Sequence, residues 1–277
     1  MHCGHHFDIM TVASEFGRKT MSSNEIESPT GRDLYAAIYD KDLEAEAQWL
    51  RMGATGKSDS VGLLLHRNRI KPKTILELGC GTGEVIKECQ RRGYGDKYTA
   101  IDYSEKAIEY LRANSNNIDA TTGDITSKDF TISGHFDVVI LSHVLEHLEE
   151  PAVFLKALRR IDFTYLIAEV PLEDLFVCRL KSLVKDRTRN PAGHVQFFTG
   201  ASFRKLLTGA GLEILDTRRY ASPSSGADLR FMCDKNNWGQ AKYLQVLITG
   251  RYLPLFAGPL WRRLYYANFA ALCRKGA

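Results

Sequence analysis

Three glycines, Gly79, Gly81 and Gly83, close the apolar run Thr74-Ile-Leu-Glu-Leu78 and lead into a helical segment that opens at Glu84. Glycine tolerates positive φ and lets a ligand approach the main chain closely. The helix start beyond it offers unpaired N–H groups and the positive end of a dipole. At the carboxyl edge of a parallel sheet, such a turn is a ligand site. Spacing excludes two common ligands. The dinucleotide fingerprint G-x-G-x-x-G needs its third glycine where this chain has Glu84, and a glutamate there would repel a pyrophosphate; no Gly-Lys-Ser/Thr follows, so a phosphate-cradling P-loop is absent. Acids surround the loop instead. Glu77 lies inside the strand end, where a carboxylate is costly unless paired or hydrogen-bonded; a cationic ligand would relieve that cost. Asp102 ends a second apolar run and can accept from both hydroxyls of an adenosine ribose. Asp124, in Thr-Gly-Asp-Ile, ends a third and could accept from an adenine amino group. Each acid alone is weak evidence. Three at successive strand ends, beside a glycine loop, suit a positively charged nucleoside.

The histidines offer other chemistry. His143-Val-Leu-Glu-His147 matches H-x-x-E-H, a zinc pattern, and on a helix the two imidazoles would share a face. The segment directly follows a buried strand and no third ligand stands out, so a metal is not expected. His194 lies in a Gly/Pro-bounded segment, where loops at the sheet edge carry substrate contacts. A neutral imidazole there could take a proton from an acceptor hydroxyl or amine near neutral pH. His2, Cys3, His5 and His6 could bind metal on composition, yet they sit in an aperiodic polar leader. The basic run Arg179, Lys181, Lys185, Arg187 and Arg189 could attract an anion but reads more simply as a solvated helix face.

These residues require elements to hold them. Leu43, Ala47 and Leu50 recur at helical spacing within 32–52, with Asp40 as an N-cap and Gly53 as the end; a short helix over 61–68 follows. Strands are expected over 74–78, 98–101, 118–122, 136–141, 165–170 and 212–220, with helices over 84–92, 105–114, 151–160 and 202–208 between most of them. Strands alternating with helices argue a parallel sheet covered on both faces, and Gly93 sits where a C-cap glycine belongs.

The order ILELGCGTG, AIDYS, GDI and FDVVILSHVLEHL resembles the successive motifs of class I S-adenosylmethionine-dependent methyltransferases. The match is close from Ile70 to Leu148 and looser through Pro171 and Gly193-His-Val-Gln-Phe-Phe-Thr199. The resemblance implies an α/β, Rossmann-like seven-stranded mixed sheet with helices on both faces and an antiparallel last strand, here 264–274, preceded by an unusually long helical cap insertion at about 221–263. Residues 1–30, polar and without periodicity, read as a disordered leader, with Met10 or Met21 as alternative starts; 31–70 reads as a helical cover and 71–277 as the S-adenosylmethionine-binding domain. The implied cofactor is S-adenosyl-L-methionine. Glu77, Gly79, Cys80 and Gly81 would hold its methionine end and ribose, Asp102 the ribose diol, and Tyr103 would pack on the adenine. Asp124 and Ile125 would flank the adenine, and Ser142 and His143 would line the pocket. The implied reaction moves a methyl group to an O or N atom of a small molecule. The protein's main task would be positioning, with His194, then His143, then His147 as candidate bases. Tyr35 and Tyr39 would help the first helix close over the cofactor. Two rivals remain. One is a nucleic-acid methyltransferase on the same scaffold, against which this chain shows no Asn/Asp-Pro-Pro-Tyr/Phe segment after the fourth strand and no concentrated basic face. A non-catalytic cofactor-binding module is the other, and a dehydrogenase is a distant third.

Composition agrees. The chain of 277 residues is 44% hydrophobic and 25% charged, an ordinary globular balance. A net charge of +4 is too mild for a nucleic-acid footprint. No apolar run is long enough to span a membrane, and the first residues have neither an apolar signal core nor Arg-rich transit character. Six scattered cysteines without a C-x-x-C pair fit reduced thiols in the cytoplasm. The aromatic and basic stretch 236–263 reads as a packed helical cap; lying on a membrane surface is the less favoured account.

Overall fold

The computed structural model describes residues 31–175, 193–221, 225–264 and 267–276. Both the histidine-rich leader and the basic run around Arg187 lie outside them. Seven strands form one sheet: β1 (Thr74–Leu78), β2 (Lys97–Asp102), β3 (Ile118–Thr122), β4 (His135–Ser142), β5 (Asp162–Leu172), β6 (Leu212–Tyr220) and β7 (Ala267–Lys275), in the order β3-β2-β1-β4-β5-β7-β6. β1 to β5 pair in parallel. β7 runs antiparallel between β5 and β6. The chain proceeds outward from β1 through β2 to β3, then returns to lay β4 on the other side of β1. That reversal leaves a crevice outside the carboxyl ends of β1 and β4, where α/β sheets bind ligands.

Alternation along the central strands builds a core on each face. In β4, Val139 and Leu141 join one apolar cluster with Leu76, Leu78 and Phe203, while Val138 and Ile140 join the other with Ile75, Ala100 and Ile167. Such two-faced burial requires the nearly continuous apolar runs seen in the sequence. The crossovers are α2 (Glu84–Arg91), α3 (Glu105–Ala113), α4 (Pro151–Ala157), which tightens into a 3₁₀ turn at Leu158–Arg160, and α5 (Gly200–Gly209). Gly93 ends α2's turn with φ +67°. Ser104 caps α3 by accepting from Ala107 N, and Thr199 and Ser202 form a capping box on α5.

The first helix departs from expectation. α1 (Gly31–Arg67) does not stop at Gly53; it breaks at Asp42, whose φ of −159° and ψ of 84° are extended. Asp42 Oδ1 accepts from Ala45 N at 3.0 Å, so Asp42 and not Asp40 caps the longer segment. A glycine inside a helix costs about 1 kcal/mol. Burial of Ala54, Val61, Leu64 and Leu65 against the sheet overrides it.

Between β6 and β7 the chain makes a helical excursion: α6 (Gly226–Lys235), α7 (Gln240–Leu247), a wide turn at Ile248–Tyr252, α8 (Leu253–Phe256) and α9 (Gly258–Leu264). Because α9 runs to Leu264, the last strand starts later than the sequence suggests. α6 docks on α1: Lys235 Nζ lies 2.8 Å from Glu46 Oε2 and 5.4 Å from the centre of a Trp49 ring. Cys80, Cys89, Cys233 and Cys273 are buried thiols. Among the described residues, no helix is long and apolar enough to cross a membrane.

Candidate active site at the carboxyl edge of the sheet

β1 ends in a loop whose three glycines all take left-handed φ: +70° at Gly79, +54° at Gly81 and +74° at Gly83. A Cβ on Gly79 would lie 2.6 Å from Val144 Cγ2, so only glycine fits between β1 and the turn after β4. Two bonds to the carbonyl of Ile101, from Gly79 N at 2.8 Å and Cys80 N at 3.1 Å, tie the loop to β2. α2 starts at Gly83 without a side-chain cap, and Glu77 supplies the missing acceptor: its Oε2 takes the Ile86 amide at 2.9 Å. Burial pushes the Glu77 carboxyl up to about 8, while the charge of Lys57 and the Ile86 amide pull it down.

Asp102 is buried at the tip of β2. Its Oδ2 accepts from Gly81 N at 2.8 Å and its Oδ1 from Ser104 N at 2.9 Å. Burial raises its carboxyl, and these backbone donors with that of Tyr103 oppose the rise. Tyr103 is half-buried beside it. Further along the edge, Asp124 Oδ1 accepts from Thr126 N at 3.0 Å and Thr126 Oγ1 at 2.6 Å. Ile125 packs against the core. Cys80 is buried, with a thiol raised by that burial. Glu84 points out of the loop, to Arg51 Nε at 3.1 Å and Lys87 Nζ at 2.6 Å.

The opposite wall carries the histidines. His143 takes φ +58°, and its imidazole sits between two acids, Nδ1 3.3 Å from Glu146 Oε1 and Nε2 3.4 Å from Glu169 Oε1. The 3₁₀ turn at Leu145–His147 follows, so the i, i+4 helical pair that a zinc reading of His143 and His147 requires does not form. The Glu146 carbonyl accepts from Val195 N at 2.9 Å and Gln196 N at 3.0 Å. That stitch brings His194 to His147, with ring centres 4.9 Å apart. His194 Nδ1 lies 2.6 Å from Glu173 Oε2. Burial lowers the His194 pKa, but the Glu173 bond and charge outweigh it, so the net shift is upward. His147 is shifted down by burial; it contacts the Tyr35 hydroxyl at 3.3 Å and the Gly193 carbonyl at 3.4 Å.

Sequence reasoning missed four contributors. Glu169, on β5, accepts from the Tyr220 hydroxyl at 2.7 Å; burial raises its carboxyl, yet His143, Lys57 and Tyr220 hold it below the usual range. Lys57 reaches from α1 close enough to Glu169, Glu146 and Glu77 for their charges to act on it, against a burial that lowers its own pKa. Glu173 and Tyr220 complete the set. An acid inside the apolar run 165–170 was the one available signal.

Several buried polar atoms on this edge have no hydrogen-bond partner among the described residues: Thr82 Oγ1, Ser142 Oγ, His143 Nε2, both oxygens of Glu146 and Glu169 Oε2. Buried polar groups are rarely left so. Acceptors dominate the set, which suits a ligand bearing an ammonium and hydroxyl donors and disfavours a phosphate. Tyr39 covers the crevice, its hydroxyl 2.8 Å from where a Cβ on Gly81 would stand. A second cleft of about 750 Å³ opens between α1 and the excursion, lined by Arg51, Asp228, Arg251 and Leu255 among others. It lies apart from the glycine loop, and its Arg51 and Asp228 are already engaged with Glu84 and Ser225.

Fold and loop thus define a nucleoside-binding α/β protein of the switch-point type. Residues 55–217 match the model of a methyltransferase domain; the chain belongs to that family, among the class I S-adenosylmethionine-dependent methyltransferases. It is 28% identical over 162 residues to a ubiquinone biosynthesis O-methyltransferase of Thiobacillus denitrificans, across 51% of this chain and 65% of that one. It is 35% identical over 97 residues to the mitochondrial enzyme of the same name from Schizosaccharomyces pombe, across 33% and 35%. The chain therefore spans between about a third and just under two thirds of these relatives. A tRNA N(3)-methylcytidine methyltransferase of Drosophila melanogaster is 25% identical over 256 residues, across 80% and 73%. Magnesium protoporphyrin IX methyltransferase from Synechocystis shares the fold at a TM-score of 0.53 and 21% identity, across 88% of this chain and 94% of that one.

Proposed function

We propose that the protein transfers a methyl group from S-adenosylmethionine to an oxygen or nitrogen atom of a small molecule. The observation that carries the reading is the left-handed glycine loop locked by Asp102 at an edge that also holds buried carboxylate oxygens without a hydrogen bond among the described residues. Glu77, Gly79, Cys80 and Gly81 would hold the methionine end and ribose, Asp102 the ribose hydroxyls, and Tyr103, Asp124 and Ile125 the adenine. Ser142 and His143 would line the methyl-bearing end, with α1 and Tyr39 as cover.

S-adenosylmethionine supplies a methyl group already activated by its sulfonium. The residues of the chain then need to place an acceptor in line and exclude water, and such positioning can contribute about 7–11 kcal/mol. Where the acceptor must lose a proton, His194 is the preferred base. Glu173 orients its Nδ1, so Nε2 would take the proton, and the same carboxylate would stabilise the imidazolium. His143, engaged by two acids, and His147, lowered by burial, rank behind it.

Calorimetric titration with S-adenosylmethionine and S-adenosylhomocysteine, followed by a methyl-incorporation screen across phenolic, carboxylate and amine acceptors, tests the reading. Binding without turnover on any acceptor points to a cofactor-binding module. The breadth of the match to the tRNA enzyme favours a second reading, methylation of RNA. Salt-dependent RNA binding, with methyl incorporation into it, would establish that alternative.

A further inference from the structure

The excursion between β6 and β7 is chemically unlike the rest of the chain. From Lys235 to Ala277 there is no Asp or Glu, where the average content of the chain would give about five. Lys235, Lys242, Arg251, Arg262 and Arg263 all fall between Lys235 and Leu264. No side chain of α7 or of the wide turn after it is buried. Leu244, Ile248, Tyr252 and Leu255 recur at a spacing that puts them along one side of the helical run, and all are exposed, as are Phe256 at 86% and Leu260 at 61%. A contiguous apolar face of this kind marks an interaction site.

Charge decides the occupant. A two-fold contact between copies would set this patch against itself, cation against cation, with no acid in the segment to compensate. Nucleic acid would answer the cations but not the exposed leucines and Phe256. An anionic bilayer answers both, taking apolar side chains at the headgroup boundary and Lys and Arg at its phosphates.

We propose that the face formed by residues 240–264 seats the protein on an anionic lipid surface, with Leu255 and Phe256 inserted and Lys242, Arg251 and Arg263 against the headgroups. Its placement follows from the register. Tyr220 pairs with Asn268, and Leu172 at the end of β5 with Ala267, so the excursion leaves and re-enters the sheet at the carboxyl edge, which also carries the glycine loop. Membrane seating does not depend on the methyl-transfer reading; if both hold, the acceptor is an amphiphile presented at the bilayer.

Co-sedimentation of the full chain with vesicles of phosphatidylcholine, alone or mixed with phosphatidylglycerol, tests the proposal. Retention on the mixed vesicles that falls with salt is expected. Leu255→Ser with Phe256→Ser should reduce it at least ten-fold, leaving circular dichroism and S-adenosylhomocysteine affinity unchanged. Arg251→Glu with Arg263→Glu should remove the preference for phosphatidylglycerol. No retention at low salt, equal retention on neutral vesicles, or equal retention of the serine variant overturns it. So does a dimer in solution that the serine variant converts to a monomer.

Discussion

Glu77 accepts the backbone amide of Ile86 at 2.9 Å, so the acid that ends β1 also caps the helix that follows the glycine loop. The cap holds in either protonation state, but the carboxyl sits near 8 because it is buried. If Glu77 holds the cofactor's ammonium, as proposed, the ionised form is favoured and binding below pH 8 releases a proton. Affinity for S-adenosylhomocysteine should therefore rise between pH 6 and 8, by up to about ten-fold per unit. Glu77→Gln should flatten that slope, as read by calorimetry in buffers of different ionisation enthalpy. Stability has the opposite sign. The folded chain retains a proton that the unfolded chain releases between about 4.5 and 8, so this group makes the protein less stable as pH rises through that window.

Asp102 fixes the loop through Gly81 and Ser104, and under the proposed function the same carboxylate would bind the ribose hydroxyls. Asp102→Ala should weaken cofactor binding by about 1.5–3 kcal/mol, the range for losing charge-assisted hydrogen bonds. Asp102→Asn keeps an acceptor for only one of the two backbone amides, so it too should weaken cofactor binding. Equal affinity in a folded Asp102→Ala protein would remove Asp102 from the site.

If His194 is the base, as proposed, its contact with Glu173 sets the pH at which that base becomes available. An imidazole raised by a carboxylate is neutral only at higher pH, so kcat should increase with pH through the raised value. Glu173→Gln removes that charge and should move the rise to lower pH while reducing kcat. A profile that stays in place in a Glu173→Gln enzyme would point to His143 or His147, or to no base.

Away from the site, Phe203 is fully buried and packs on Phe198 and Phe269 at ring-centre distances of 5.7 and 6.0 Å. Phe203→Ala should cost about 3–5 kcal/mol, read as a lower urea midpoint at unchanged slope.

What the sequence disclosed was what is local. The glycine loop, its strand and its helix are contiguous, and the apolar alternation of β4 shows a strand with two covered faces. Asp102 stood out because an acid at a strand tip recurs at a legible interval. Glu169, Lys57, Tyr220 and Glu173 were illegible because each matters through partners far along the chain: Tyr220 reaches Glu169 across 51 residues, and His194 reaches Glu173 across 21. The placement of His194 depends on two amides meeting the Glu146 carbonyl, a backbone contact with no side-chain signature. Gly53 misled for a related reason: local propensity favours a stop there, and burial against a distant sheet overrules it.

β7 enters between β5 and β6 from the opposite direction, and the pairing of Tyr220 with Asn268 clamps the two ends of the excursion about one strand spacing apart, near 4.8 Å. The excursion is thus anchored twice, by that strand pair at its ends and by α6 against α1. The stretch from α7 onward, which buries no side chain in α7 or the turn after it, can vary with both anchors intact, and that is the simplest route by which such a scaffold could be re-targeted.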